Sequence, residues 1–387
     1  MKDYSFLRNT LQRGSFQNSL FLFVLIFVFG LGSIFAQSVS ITASQPNADE
    51  EGPVNGQFIV NITDASPGTF YTINLAVDIG STADVDDDYV SFSTTVNIIT
   101  NLVGSGSALR NIVIVDDDVV EATENIILNI VGSNPALTIG TGTATVTIAD
   151  NDVAGVNVST ISGDTGEDGT TATFTVTLES QPTNPVTIAL SSNNTAEGTV
   201  PASVVIPVAS WDTGIIVTVT GVDDFIIDGD INYSLITGNV TSTDTNYNAL
   251  NGGDVANVAV TNNDNDVAGV NVNTTTGTTT EAGGTATFIY TLTSQPTANV
   301  VLEVDQYDNT ETSGPSIITI TPSNWNTGVP LTITGLDDDT IDGDIDDDIR
   351  VRIDNSADSD YDSLNNGDVP DVVVTNLDDD VAGVNVS

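Results

Sequence analysis

The hexapeptide Val-Ala-Gly-Val-Asn-Val begins at Val153, Val267 and Val381, at intervals of 114 residues. That periodicity constrains the fold before anything else does. Each copy is long enough to be a domain, whereas solenoid repeats run to roughly 20–50 residues. The match extends well past the seed. Glu167 pairs with Glu281, Phe174 with Phe288, and Ser180-Gln181-Pro182-Thr183 with Ser294-Gln295-Pro296-Thr297. Trp211 pairs with Trp325, Gly221 with Gly335, Tyr247 with Tyr361, and Asp264-Asn265-Asp266 with Asp378-Asp379-Asp380. A diverged earlier copy runs from about Val39, with Glu51 and Phe58 matching Glu167 and Phe174, and closes on Asp150-Asn151-Asp152. The expected organisation is therefore a leader over residues 1–36 and repeats over 38–152, 153–266 and 267–380. Residues 381–387 open a fourth copy. A lone strand cannot bury its face, so a longer array is expected.

Within a copy the pattern is that of strands. In Thr171–Leu178, Phe174, Val176 and Leu178 point one way and Thr173, Thr175 and Thr177 the other. Ala286–Leu292 repeats this alternation, as do Phe58, Val60 and Ile62 in the first copy. Further strands of the second copy are expected at Val156–Val158, Val186–Leu190, Val204–Val208, Ile215–Val219, Ile231–Ile236 and Val255–Val260. No segment has a helical period. About seven short strands per copy predict an all-β chain of tandem immunoglobulin-like antiparallel β-sandwiches.

Residues 1–36 read as a secretory signal. Lys2, Arg8 and Arg13 precede the apolar run Leu20–Phe29, and cleavage is expected after Ala36. The alternative is an uncleaved anchor, because Leu20–Ala36 is 17 residues long, at the lower limit for spanning a bilayer. Either reading places the body outside the cytoplasm, secreted or at the cell surface.

Charge narrows the function. Beyond residue 36 there are 52 acids and three bases, Arg110, Arg350 and Arg352, a net charge of −49. Such a surface repels phosphate backbones and anionic lipid heads, which argues against nucleic acid and leaves membrane contact to an anchor or an uncleaved leader. There is no Cys and no His. Thiolate and imidazole metal sites, and Cys–His or Ser–His nucleophiles, are thereby excluded.

The acids are clustered. In the first copy they gather at Asp49-Glu50-Glu51, at Asp84 with Asp86-Asp87-Asp88, at Asp116-Asp117-Asp118 with Glu121 and Glu124, and at Asp150 with Asp152. Each cluster falls at an expected strand end or connection. The third copy is denser, with Asp337-Asp338-Asp339, Asp342, Asp344, Asp346-Asp347-Asp348 and Asp378-Asp379-Asp380. Calcium takes six to eight oxygen ligands in flexible geometry and suits converging loop carboxylates; magnesium keeps its waters and fits less well. The alternative is that the loops are merely solvated, but carboxylates packed this tightly raise each other's pKa.

These residues resemble the Calx-beta domain, a module of sodium–calcium exchangers, integrin β4 and large bacterial surface proteins. The carriers are the stretch Ile112–Glu124 (IVIVDDDVVEATE), Asp88-Tyr89, Glu51 and the close Asp150-Asn151-Asp152. The resemblance implies calcium ligands at Glu51, Asp88, Asp116, Asp117, Glu121, Glu124, Asp150 and Asp152. The second and third copies resemble the bacterial branch, with Ser210-Trp211-Asp212-Thr213-Gly214 and Asn324-Trp325-Asn326-Thr327-Gly328. They lack the Asp-Tyr element, and the paired glutamates become Asp228 with Asp230 and Asp342 with Asp344. Ligands carry over there to Glu167, Asp223, Asp224, Asp264 and Asp266, and to Glu281, Asp337, Asp338, Asp378 and Asp380.

Other signals are weak. Asp164-Thr165-Gly166 and Asp212-Thr213-Gly214 match the short aspartic-protease signature, yet the counterpart of Asp212 is Asn326. Two Trp at one repeat position form no sugar platform, and Asp342-Gly343-Asp344 lacks the ligands of an EF-hand loop. The expectation is a non-enzymatic, calcium-binding adhesive or structural array of the bacterial-surface type. Its partners would be calcium ions and cell-surface or matrix ligands. The alternatives are a carbohydrate- or ligand-binding surface protein, or the non-catalytic part of a larger secreted enzyme.

Overall fold

The computed structural model describes residues 36–306, 309–365 and 367–384. The expected leader lies outside them except for Ala36, as do residues 385–387 of the fourth copy. Among the described residues no helix is long and apolar enough to cross a membrane.

Every repeat opens with a strand that changes sheets. In the first, Ser38–Gln45 pairs antiparallel with Gly56–Thr63; after Pro46 the chain continues as Asn47–Asp49, parallel to the last strand, Thr143–Ala149. The second repeat does the same with Val156–Val158 and Thr165–Gly166, and the third with Val270–Val272 and Thr276–Thr280. A four-stranded and a five-stranded sheet result in each case. In the second repeat the orders are Val156–Val158, Thr171–Leu178, Ile215–Gly221, Gly198–Thr199 and Thr165–Gly166, Val258–Asn263, Ile231–Thr241, Val186–Ser192, Ser203–Ile206. Apart from the opening strand's parallel turn onto the last one, and its parallel pairing with Thr138–Ile139 in the first repeat, the ladders are antiparallel, and the chain is an immunoglobulin-like all-β protein.

The alternation read from sequence builds the cores. Phe174, Val176 and Leu178 are buried with Val217, Val219, Tyr233, Leu235 and Tyr247. Phe288, Tyr290 and Leu292 are buried with Leu331, Ile333, Val351 and Tyr361. Phe58, Val60 and Ile62 are buried with Tyr71, Ile73 and Val146. Burying one such side chain stabilises by about 1.5–3 kcal/mol, so about twenty in the first core supply its main driving force.

Some strand ends differ from expectation. Val204–Val208 stops at Ile206 because Pro207 has no N–H, and Val208–Ser210 turns as a 3-10 helix. Val255–Val260 starts only at Val258: the Asn257 side chain accepts from Thr237 N, and the Thr237 hydroxyl donates to Val255 O. Asp346-Asp347-Asp348 lies inside the strand Ile345–Ser356 rather than in a connection, and Asp347 is buried against the Thr312 hydroxyl.

The chain divides into two compact units, residues 1–152 and 153–387. Inside the second, the two cores are joined by a side-chain contact. Phe225 meets Trp325 with ring centroids 5.4 Å apart, and Gln295 N donates to Phe225 O at 2.6 Å.

Candidate metal centre

The sheet-changing strand matters because of where it ends. Running parallel to the last strand, it delivers a glutamate beside the acidic turn that closes the repeat. Glu50 N donates to Ala149 O, Glu167 N to Asn263 O and Glu281 N to Leu377 O, at 3.1, 3.1 and 3.2 Å. All three glutamates are buried.

The closing turns share one construction. The first aspartate of each, Asp150, Asp264 or Asp378, accepts the N–H of the residue two ahead, Asp152, Asp266 or Asp380, at 2.8 Å. Its other oxygen accepts a backbone N–H from the acidic loop opposite: Glu121, Gly229 and Gly343, at 2.7, 2.9 and 2.8 Å. The last aspartate is held differently. One oxygen of each of Asp152, Asp266 and Asp380 is buried with no hydrogen-bond partner. A third element approaches as a turn in which Asp117, Asp224 or Asp338 accepts the N–H two residues on.

Carboxylate oxygens of Glu50, Asp150 and Asp152 lie within 4.8 Å of one another, as do those of Glu167, Asp264 and Asp266, and of Glu281, Asp378 and Asp380. Glu50 also groups with Asp88 and Glu121, and Glu281 with Asp337 and Asp379. Of the sequence-derived ligands, Asp88, Glu121, Asp150, Asp152, Glu167, Asp264, Asp266, Glu281, Asp337, Asp378 and Asp380 thus fall in such groups. Asp116, Asp117, Asp223, Asp224 and Asp338 are charged neighbours of them, and Glu124 lies against Asp88.

Glu51 requires correction. It is exposed, its N–H bonds Asp49, and Glu50 takes the inward position. The first repeat has one more residue between this glutamate and Phe58 than the second has before Phe174, so alignment on the phenylalanine selects the wrong one of two adjacent glutamates. Asp379, which groups with Glu281 and Asp337, was also missed, because a run of three aspartates hides which of them turn inward.

The electrostatics are those of carboxylates deprived of counter-charge. Burial, then Asp150, Asp117, Glu121 and Asp88, raise Glu50 to about 7. Burial also raises Glu167 to about 7, assisted by Asp264, Asp224 and Asp266 and opposed by the Asn265 N–H. Glu124 is raised to about 8 by burial and by its contact with Asp88. Asp152, Asp266 and Asp380 are raised, first by desolvation and then by neighbouring aspartates. Oxygen-only donors on loops, with inward-facing oxygens unpaired, fit a hard divalent cation of calcium type.

No family model matches the chain, and no curated protein matches it either. Among solved structures, it is similar to CBD12 from CALX1.2 at 16% identity and TM-score 0.26, covering 54% of this chain and 84% of that one. It is similar to the apo-form Calx CBD1 domain at 19% identity and TM-score 0.24, covering 30% and 98%. It is similar to invasin, a bacterial integrin-binding protein, at 11% identity and TM-score 0.27, covering 89% of this chain and 60% of that one. At these TM-scores the likenesses establish neither the fold nor the role of this chain.

Proposed function

We propose that this is a non-catalytic, calcium-binding, modular protein of Calx-beta type, secreted or held at the cell surface. In this reading calcium stabilises each sandwich and stiffens the array, which presents an adhesive or structural surface to cell-surface or matrix ligands. One observation carries it: three sequence-diverged repeats each keep a buried glutamate beside an Asp-x-Asp turn whose last aspartate has a buried, unpartnered oxygen. Solvated acidic loops give no reason for one oxygen to stay buried and unpaired three times over.

Asp266→Asn tests this through a change of sign. Without divalent ions the substitution removes a charge that its surroundings disfavour, and the variant is expected to be at least as stable as the wild type. In millimolar calcium a ligand is lost, and the variant should fall below the wild type by about 1–3 kcal/mol. Paired thermal melts and calorimetric calcium titrations decide it. The same sign of effect in both buffers, with unchanged calcium binding, rejects the reading.

Stiffening has its own test at the contact between Phe225 and Trp325. Phe225 follows Asp223-Asp224 directly, so the loop that flanks the second repeat's carboxylates also carries the aromatic that reaches the third. Phe225→Ala is expected to broaden the distance distribution between spin labels on the second and third repeats while leaving calcium stoichiometry intact. An unaltered distribution removes this contact from the account.

A further inference from the structure

The three repeats finish the gap beside their opening strand in three different ways. In the first, the chain turns back after Pro135 and lays Thr138–Ile139 parallel to Ser38–Gln45, at the edge of the four-stranded sheet. Thr138 N donates to Gln37 O, Gly140 N to Val39 O and Ile41 N to Thr141 O, each at 2.9 Å. In the third, Thr276–Thr280 runs along the last strand from Val373 to Leu377 and covers the edge of the five-stranded sheet. The second repeat does neither.

Strand register gives the equivalent positions. Val158 faces Val176 as Ile41 faces Val60, and Val156 faces Leu178 as Val39 faces Ile62. Glu179 N donates to Gly155 O and Ser159 N to Thr175 O, so these alternate residues bond into the sheet. The N–H and C=O groups of Val156 and Val158 therefore point to the open edge, as those of Val39 and Ile41 point to Thr138–Ile139 in the first repeat. The connection that covers them in the first repeat is here residues 242–257. It forms the helical turn Tyr247–Ala249 instead, with the Tyr247 hydroxyl bonded to Ser180. Across the gap, Thr165–Gly166 pairs only with Asn262 and Asn263. Ala259 and Val260, the counterparts of Val373 and Val374, thus have no strand partner on that side among the described residues.

Between the two uncovered edges lies a cavity of about 340 Å³, lined by Val158, Ser159, Thr160, Ile161 and residues 256–259. No lining residue is charged, although the chain beyond residue 36 holds 52 acids. An exposed strand edge is a template for another strand, and proteins that keep such an edge empty place charge, proline or a bulge on it. This edge carries neither charge nor proline, and its register is unbroken.

We propose that the opening-strand edge of the second repeat is a docking site for an extended segment of a partner polypeptide, which joins the sheet as a strand parallel to Val156–Val158. The first repeat shows the chemistry of the occupant. Leu137-Thr138-Ile139-Gly140-Thr141 is uncharged, rich in β-branched residues, and covers the equivalent edge within one chain. In strand addition of this kind the main-chain bonds supply affinity and the neighbouring cavity supplies selectivity. The site is independent of the calcium reading.

The probe is the end-blocked peptide of residues 136–143 (ALTIGTGT), added to the full chain. In hydrogen exchange followed residue by residue, the Val158 amide should slow at least about tenfold at saturating peptide. The amide of Val272, beside the gap that Thr276–Thr280 closes, should keep its rate. N-methylation of the peptide at Gly140 removes the donor to the Val156 carbonyl and should abolish the effect. Thr160→Arg, an exposed change on the cavity wall, should weaken binding without moving the melting temperature, and the methylated peptide decides the question if that variant is unstable. No protection of Val158 at millimolar peptide, protection by the methylated peptide as well, or equal protection of Val272 overturns the proposal. Slowing of Val158 with rising protein concentration in the absence of peptide, with dimers in sedimentation, makes the occupant a second copy of the chain and also overturns it.

Discussion

Moving the protein from millimolar calcium into chelator is expected to lower its melting temperature by on the order of 10 °C. A site filled at a hundredfold excess over its dissociation constant stabilises by about 2.7 kcal/mol, since the unfolded chain does not assemble it. For a domain of this size each kcal/mol is worth about 3–5 °C. The acids have little else to neutralise them. The chain beyond residue 36 has three bases, and all of them sit on strands. Arg110 donates to Thr95 O, and Arg352 pairs with Glu303 and Asp305 on a sheet face. The inward carboxylates are raised first by burial and then by other carboxylates. With no disulfide to limit the unfolded ensemble, ion loading is the stabiliser the sequence leaves available. Differential scanning calorimetry in the two buffers reads the effect, and coincident melts would refute calcium as a stabiliser.

Where the sequence was legible, a local pattern was enough. Thr171–Leu178 forms over its expected span because alternation alone assigns Phe174, Val176 and Leu178 to the core. The Asp-x-Asp turns were visible because their ligands are contiguous. What stayed hidden depends on partners far away in the chain. Glu197 is an isolated acid after Asn193-Asn194-Thr195-Ala196, and only its bonds with Val222 and Asn262 show that it occupies the place of Asp88. The residue after it was misleading as well. Tyr89 follows Asp88, but Gly198 follows Glu197, and a Cβ at Gly198 would lie 2.2 Å from the ring of Tyr233. The second repeat thus brings an aromatic to this place from another strand, and the missing Asp-Tyr pair marks an exchange of packing rather than a lost acid.

In chelator, stability is expected to fall as pH rises from about 5 to 8, the reverse of ordinary acid denaturation. The sign follows from carboxyls whose folded pKa lies above the unfolded one. Glu50 and Glu167 rise from 4.5 to about 7 and Glu124 to about 8, each first through burial and then through neighbouring carboxylates. Glu121, although more exposed, is likewise raised to about 7 by desolvation of its carboxyl and by Asp88. Between those limits the folded state holds protons that the unfolded state has released, so raising the pH favours unfolding. Their contribution is complete below about pH 4.5 and is lost through pH 7 to 8. Glu50 and its clustered neighbours contribute less than the sum of independent groups because they titrate together. Calcium should invert the trend, since it binds the deprotonated carboxylates and competes with the same protons. Melting temperatures with and without calcium should therefore converge near pH 5 and separate most widely near pH 8. If the chelated protein instead grows more stable from pH 5 to 8, the inward carboxylates are ordinary solvated acids, and the sites assigned to them fail together.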